Sequence, residues 1–116
     1  MTDITKENFQ QEVLGPKVPV ILFFASENSD VEDCKKQQEI LQDIEKELNE
    51  SVKVCVLNVD AQPFLALNYG ITSTPSTVFM KYGLFQKRAA GVVSKEEILN
   101  CIDELSANEQ IINIQK

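Results

Sequence analysis

Apolar residues recur along this chain in two rhythms. Val18 to Phe24 is a nearly continuous apolar run of strand length, and Val52 to Val59 is a second, rich in valine. Such runs predict strands buried on both faces, the first of them central. Between them Ile40, Leu41, Ile44 and Leu48 recur at helical spacing, and Cys34, seven residues before Leu41, lies on the same stripe; an amphipathic helix is predicted there. Thr77-Val78-Phe79-Met80 and Leu84-Phe85 predict a hairpin turning at Tyr82-Gly83, and Ile98, Ile102 and Leu105 predict a last helix with these residues inward. Strands and helices therefore alternate, which predicts an α/β protein whose mixed sheet is covered by helices on both faces.

Polar punctuation places the element ends. A first helix over about Lys6 to Val13 stops at Gly15-Pro16, a pair that cannot continue a helical ladder. Ser29 followed by Glu32 fits a capping box, and Asp30, Glu32 and Asp33 put negative charge at the positive end of the helix dipole. Asn49-Glu50-Ser51 turns the chain into the valine-rich strand, Phe64 to Asn68 reads as a short helix closed by Gly70, and Ser94 with Glu97 forms another capping box. Ser106 to Lys116 reads either as a longer last helix, with Ile112 continuing the spacing of Ile98 and Leu105, or as a frayed tail. No repeat, linker or low-complexity segment interrupts residues 1–116, so a single domain is expected.

Composition narrows the function classes. A chain of 116 residues with 43% hydrophobic content can bury one core without disulfide staples. The formal net charge of -7 argues against nucleic acid as a partner, because phosphate binding depends on clustered Lys and Arg. Cys34, Cys55 and Cys101 are odd in number and widely spaced, which suits free thiols in a reducing compartment. Histidine is absent, which removes the commonest general base and metal ligand, so neither a metal nor another cofactor is expected. Thr2, Asp3, Thr5, Lys6 and Glu7 interrupt any apolar leader, and the run from Val18 to Ala25 is too short to span a bilayer. A soluble cytoplasmic protein without a membrane partner is the expectation.

Several separated stretches, in order, carry a family likeness: Ile4-Thr5-Lys6-Glu7-Asn8-Phe9, Pro19-Val20-Ile21-Leu22-Phe23-Phe24-Ala25, Cys34-Lys35, Leu57-Asn58-Val59-Asp60, Tyr69-Gly70-Ile71, Thr74-Pro75-Ser76 and Gly91. In series, from about Ile4 to Leu105, they resemble the thioredoxin family. That resemblance implies a thioredoxin fold, a five-stranded mixed sheet flanked by four helices. It also implies a dithiol site of the Cys-x-x-Cys kind, in which the first cysteine attacks from a helix N-terminus and the second resolves the mixed disulfide. This chain departs from the pattern. Cys34 matches the resolving cysteine, and Val31 stands where the attacking one belongs. The stretch from Ala25 to the motif is three residues longer than usual, as if Ser26 to Asp30 extended the helix. Phe24 occupies the usual tryptophan position, and Leu22 and Val56 replace the buried aspartate and its companion lysine.

Two readings of Cys34 stand. One is a buried small hydrophobe on the inner stripe of the helix. The other is a monothiol forming a mixed disulfide with glutathione or a partner cysteine; a place past the free helix amides and the neighbouring acids oppose this, while Lys35 and Lys36 partly offset the acids. Packing is expected of Cys55, and packing or an inert thiol of Cys101. Ser29 lacks a base to activate it and is expected to cap. By resemblance Thr74-Pro75 is a cis bond beside the motif, with Ala90, Gly91 and Val92 as the opposite wall of a groove. The expected function is a thioredoxin-like protein with a degenerate redox site. It would bind a protein or peptide through Ser29, Asp30, Val31, Thr74, Pro75, Ala90, Gly91 and Val92, as a monomer or weak homodimer. The alternative is a monothiol disulfide oxidoreductase of redox homeostasis with Cys34 as its catalytic thiol.

Overall fold

Five strands form one mixed sheet: β1 (Thr2–Asp3), β2 (Val20–Ala25), β3 (Lys53–Asn58), β4 (Ser76–Lys81) and β5 (Leu84–Ala90), in the order β1-β3-β2-β4-β5. The computed structural model describes residues 1–115, with side chains described through Ser106. Strands β1 and β2 run parallel to β3, while β4 runs antiparallel to both β2 and β5. The apolar run of β2 is explained by its place: it is central, flanked by β3 and β4, and its residues Val20 to Phe24 are buried. The period-2 alternation of a strand then divides these side chains between two cores. Ile21 and Phe23 pack beneath helices α1 (Val31–Leu48) and α3 (Lys95–Gln115), with Leu41, Ile44, Ile98 and Ile102. Val20, Leu22 and Phe24 pack on the opposite face with Val13, Leu57 and Ala66. That face is covered by a π-helical segment (Gln10–Leu14) and by α2 (Pro63–Asn68).

Local departures from expectation have local causes. The first helix is displaced: the turn at its start is made by Thr5 and Asn8, with Asn8 Oδ1 accepting from Thr5 N–H at 2.8 Å and Thr5 Oγ1 accepting from Asn8 N–H at 3.4 Å. Such side-chain bonds compete with a helical ladder, so regular helix begins only after Phe9 and takes the wider π form. The expected stop is kept at Gly15, where a Cβ would lie 2.7 Å from the Gln11 carbonyl oxygen. At the other side of the molecule β5 is longer than its apolar residues indicate. Its Gln86, Lys87 and Arg88 are exposed on an edge strand, so the strand has no apolar alternation to betray it. Polar edges of this kind also discourage strand-to-strand association. The hairpin turns at Tyr82 and Gly83, both at positive φ (52° and 76°), as tight two-residue hairpin turns require.

Helix α3 begins with the predicted capping box: Glu97 N–H donates to Ser94 Oγ at 3.2 Å, and Ser94 Oγ donates to Glu97 Oε1 at 3.2 Å. It continues past Leu105 to Gln115; the apolar contact expected of Ile112 lies outside the described side chains. Lys95 ties α3 to α1 through Asp43 at 2.7 Å and Glu47 at 3.5 Å, and the ammonium holds the Asp43 carboxyl below its ordinary range. Asp43 is exposed and Lys95 is half-buried beside it, so solvent screens the pair and it contributes little to stability. Among the described residues no helix is long and apolar enough to cross a membrane.

Candidate functional site at the end of the central strand

The loop that leaves β2 is organised by two short polar side chains. Ser26, 6% exposed, donates from Oγ to Asp60 Oδ2 at 2.9 Å and accepts the backbone N–H groups of Asn28 and Ser29, both at 3.0 Å. Glu27 N–H donates to the same Asp60 oxygen at 3.2 Å, and Asn58 Oδ1 accepts from Asp60 N–H at 2.8 Å. Residues Ser26 to Asp30 are thereby held as a loop latched to the segment after β3.

This latch overturns the expected capping box at Ser29. Its N–H is turned back onto Ser26, and the N-cap of α1 is Asp30, at φ 52° and ψ 40°, with no side-chain capping bond. Helix α1 starts at Val31, so the additional residues stay in the loop and do not lengthen the helix. A left-handed backbone at a non-glycine residue costs about 1–2 kcal/mol, and the loop bonds hold Asp30 there.

Val31, at the first helical position, is exposed, while Cys34, at the fourth, is 6% exposed. The Cys34 N–H donates to the Asp30 carbonyl at 2.9 Å, closing the first turn, so the sulfur lies beyond the helix's free amides. Its thiol points at the Ser29 carbonyl, Sγ to O 4.0 Å. Cys34 and Val31 border a cavity of about 480 Å³ with Val56, Gln38 and Asn58. Leu22 faces the other core, opposite Cys55 and Val78. Leu22 is thus fully buried and Val56 half-buried.

Across from the loop, Thr74-Pro75 is a cis bond. Thr74 Oγ1 donates to the Ser29 carbonyl at 3.5 Å, and Gly91 N–H donates to the Pro75 carbonyl at 2.8 Å. Gly91 holds φ +81°, a conformation that favours glycine. Ser29, Asp30 and Thr74 line one recess of about 300 Å³ together with Val59, Asp60 and Ile71. Pro75 is buried behind Thr74, Ala90 pairs with Ser76, and Val92 is exposed just beyond. Val31 belongs to the wall of the larger cavity, not to this recess.

Two groups that pattern reading passed over complete the site. Gln37 sits on the inner stripe of α1 at 0% exposure; its Nε2 donates to the Val93 carbonyl at 3.1 Å and its Oε1 accepts Val93 N–H at 2.6 Å. It fastens α1 to the chain just after Gly91. A polar residue between Cys34 and Leu41 on an apolar stripe was the available signal. The Ser26–Asp60 latch has none, since its partners lie 34 residues apart.

Cys55 lies in β3 and Cys101 in α3, and both thiols are pushed up by burial, Cys55 to about 11. In Cys55 the nearby Lys53 opposes that rise and Glu12 adds to it. Native-state alkylation of Cys55 at pH 8 is expected to run roughly a hundredfold or more slower than in the unfolded chain, where an ordinary thiol titrates near 8.5. Because the folded thiol holds its proton longer, stability is expected to fall as pH rises from about 8.5 towards 11. Mass mapping of alkylated peptides across that range, beside an unfolding curve at each pH, checks both; labelling at the unfolded rate would contradict the burial. Among the described residues no group of His, Cys, Asp and Glu is placed to hold a metal ion.

The family model described as Thioredoxin matches residues 1–104. The chain is similar to "Thioredoxin" of Rickettsia prowazekii (strain Madrid E), 32% identical over 104 residues, covering 90% of this chain and 97% of the relative. It is also similar to "Thioredoxin" of Rickettsia felis, 32% identical over 102 residues (88% and 95%), and to "Thioredoxin 1" of Synechococcus elongatus, 30% identical over 101 residues (87% and 92%).

Proposed function

From the premise that this chain belongs to the thioredoxin family, we propose that it binds a protein or peptide segment in the groove beside Thr74-Pro75 and does not carry out dithiol exchange. The observation that carries this reading is the first turn of α1. The helix N-terminus, where backbone amides would stabilise a thiolate, presents Val31, which has no nucleophile. The nearest thiol, Cys34, is one turn further in, buried, with its amide already bonded. A dithiol cycle needs both an attacking and a resolving sulfur. Three unpaired cysteines suit a reducing compartment, so a cytoplasmic location belongs to the same proposal, as does a monomer or weak homodimer without a nucleic-acid or membrane partner.

A second reading rests on one feature. Cys34 borders the larger cavity, so a small disulfide has a path towards its sulfur, and the chain would then act as a monothiol oxidoreductase. Two assays separate the readings. The groove-binding protein is expected not to accelerate reduction of a disulfide substrate by dithiothreitol, and Cys34→Ser is expected to leave partner capture unchanged. A glutathione adduct on Cys34 of the folded protein, together with loss of capture in Cys34→Ser, would replace it with the monothiol enzyme.

A further inference from the structure

Resting on that groove reading, we propose that the segment bound beside Thr74 is an extended one carrying lysine or arginine. Two features make the recess a place for an extended chain. Among the described residues the N–H and C=O of Thr74 have no hydrogen-bond partner, although its hydroxyl is engaged with Ser29. An unpaired backbone donor and acceptor on the same residue match the spacing of a strand laid alongside. The recess also offers apolar side chains, Val59 and Ile71, to a small or aliphatic residue of such a strand.

The charge around it then selects the occupant. The recess is lined by Asp30 and Asp60 and by no lysine or arginine. Glu27 and Glu32, next to it in the loop and first helical turn, are exposed, and like Asp30 they have no ion pair among the described residues. Asp33 is paired only loosely with Lys36, at 4.0 Å. Asp30 spends no side-chain bond on capping its own helix, so its carboxylate is available to a partner. Acids at the packed interfaces are differently placed: Asp43 and Glu47 meet Lys95, Glu12 meets Lys53, and Glu45 meets the N-terminal ammonium. A segment rich in acids would be repelled from the recess, and one with cations would be drawn to it and held in register. Exposed pairs are individually weak, each changing affinity by roughly two- to fivefold. Two or three acting together give roughly tenfold selection, which salt screens.

The test titrates the ¹⁵N-labelled full chain with three extended ten-residue peptides that share one apolar frame and carry lysine, glutamine or glutamate at the same places. The lysine peptide is expected to bind about tenfold more tightly than the glutamine peptide at low salt, and the glutamate peptide more weakly than either. Amide shifts should centre on Asp30, Thr74 and Gly91, and the preference should shrink at about 0.5 M salt. Asp30→Asn, which keeps a residue tolerant of the left-handed backbone, is expected to weaken the lysine peptide by roughly two- to fivefold and so to narrow its advantage over the glutamine peptide. Equal binding of all three peptides at Thr74 would overturn the charge selection and leave the groove standing. Lysine-peptide shifts confined to the outer face of α1 would overturn the site. No shift at Thr74 with any peptide would overturn the groove reading itself.

Discussion

Replacing Gln37 by leucine is expected to lower the free energy of unfolding by about 2–4 kcal/mol, although leucine suits the apolar stripe of α1 better than glutamine does. The reason is what it leaves behind. Val93 is 8% exposed, and its N–H and C=O have the Gln37 side chain as their partner. Each buried backbone group left without a partner costs about 1–3 kcal/mol, against a total stability of about 5–15 kcal/mol for a domain. The gain from burying an aliphatic side chain offsets only part of this. Thermal unfolding should shift down by roughly 10 °C or more, with the Val93 amide exchanging faster than its neighbours in α1. Gln37→Glu supplies an internal control. A protonated carboxyl can accept from Val93 N–H and donate to its C=O, whereas an ionised one cannot donate and is buried without a counter-charge. Burial therefore raises the folded-state value above the ordinary ~4.3 of glutamate. The folded state then holds a proton that the unfolded chain has lost, so the variant should be close to the parent near pH 4 and lose stability as pH rises towards neutrality. A pH-independent loss in Gln37→Glu, or an unchanged melting temperature in Gln37→Leu, would show that the Val93 backbone finds other partners.

Val31→Cys is expected to create a disulfide-forming pair and to raise disulfide reduction at least about tenfold above the parent protein's background. Positions 31 and 34 lie three residues apart on α1, which places their Cα atoms about 5 Å apart in an α-helix and within the range a disulfide spans. The introduced thiol would sit at the first helical position, exposed and among the free amides that stabilise a thiolate. Turnover should stay slow even so. Glu32 and Asp33 share the first turn and oppose a second negative charge, and Leu22 and Val56 offer no group to move a proton. The measurement is a mass spectrum before and after dithiothreitol, beside a disulfide-reduction assay of both proteins. A parent protein that already reduces the substrate as fast as Val31→Cys would mean that Cys34 works alone, and the monothiol reading would take over.

Legibility in the sequence followed the range of the interactions involved. The inner stripe of α1 was readable because Cys34, Leu41 and Ile44 repeat at the helix period, and all three are buried. The Ser94–Glu97 cap was readable because both partners lie within one turn. The Ser29–Glu32 pattern has the same spelling and fails, because Ser26 takes the Ser29 N–H and Asp60 in turn holds Ser26. Strand β5 extends well past Leu84-Phe85 with no apolar signal, because an exposed edge strand need not alternate.

By itself, then, the sequence determined the alternation of strands and helices, the central place of β2 and the apolar, sulfur-free side chain at position 31, since each depends on residue type and on spacing within a few turns. Only the tertiary structure decided that the extra loop residues are latched to Asp60, that Gln37 holds Val93 across 56 residues, and that Thr74, whose backbone has no hydrogen-bond partner among the described residues, shares a recess with Asp30. Those contacts join segments whose separation along the chain carries no pattern. They form because closing the sheet brings the ends of β2, β3 and β4 to one place, where buried backbone groups take partners that local sequence does not supply.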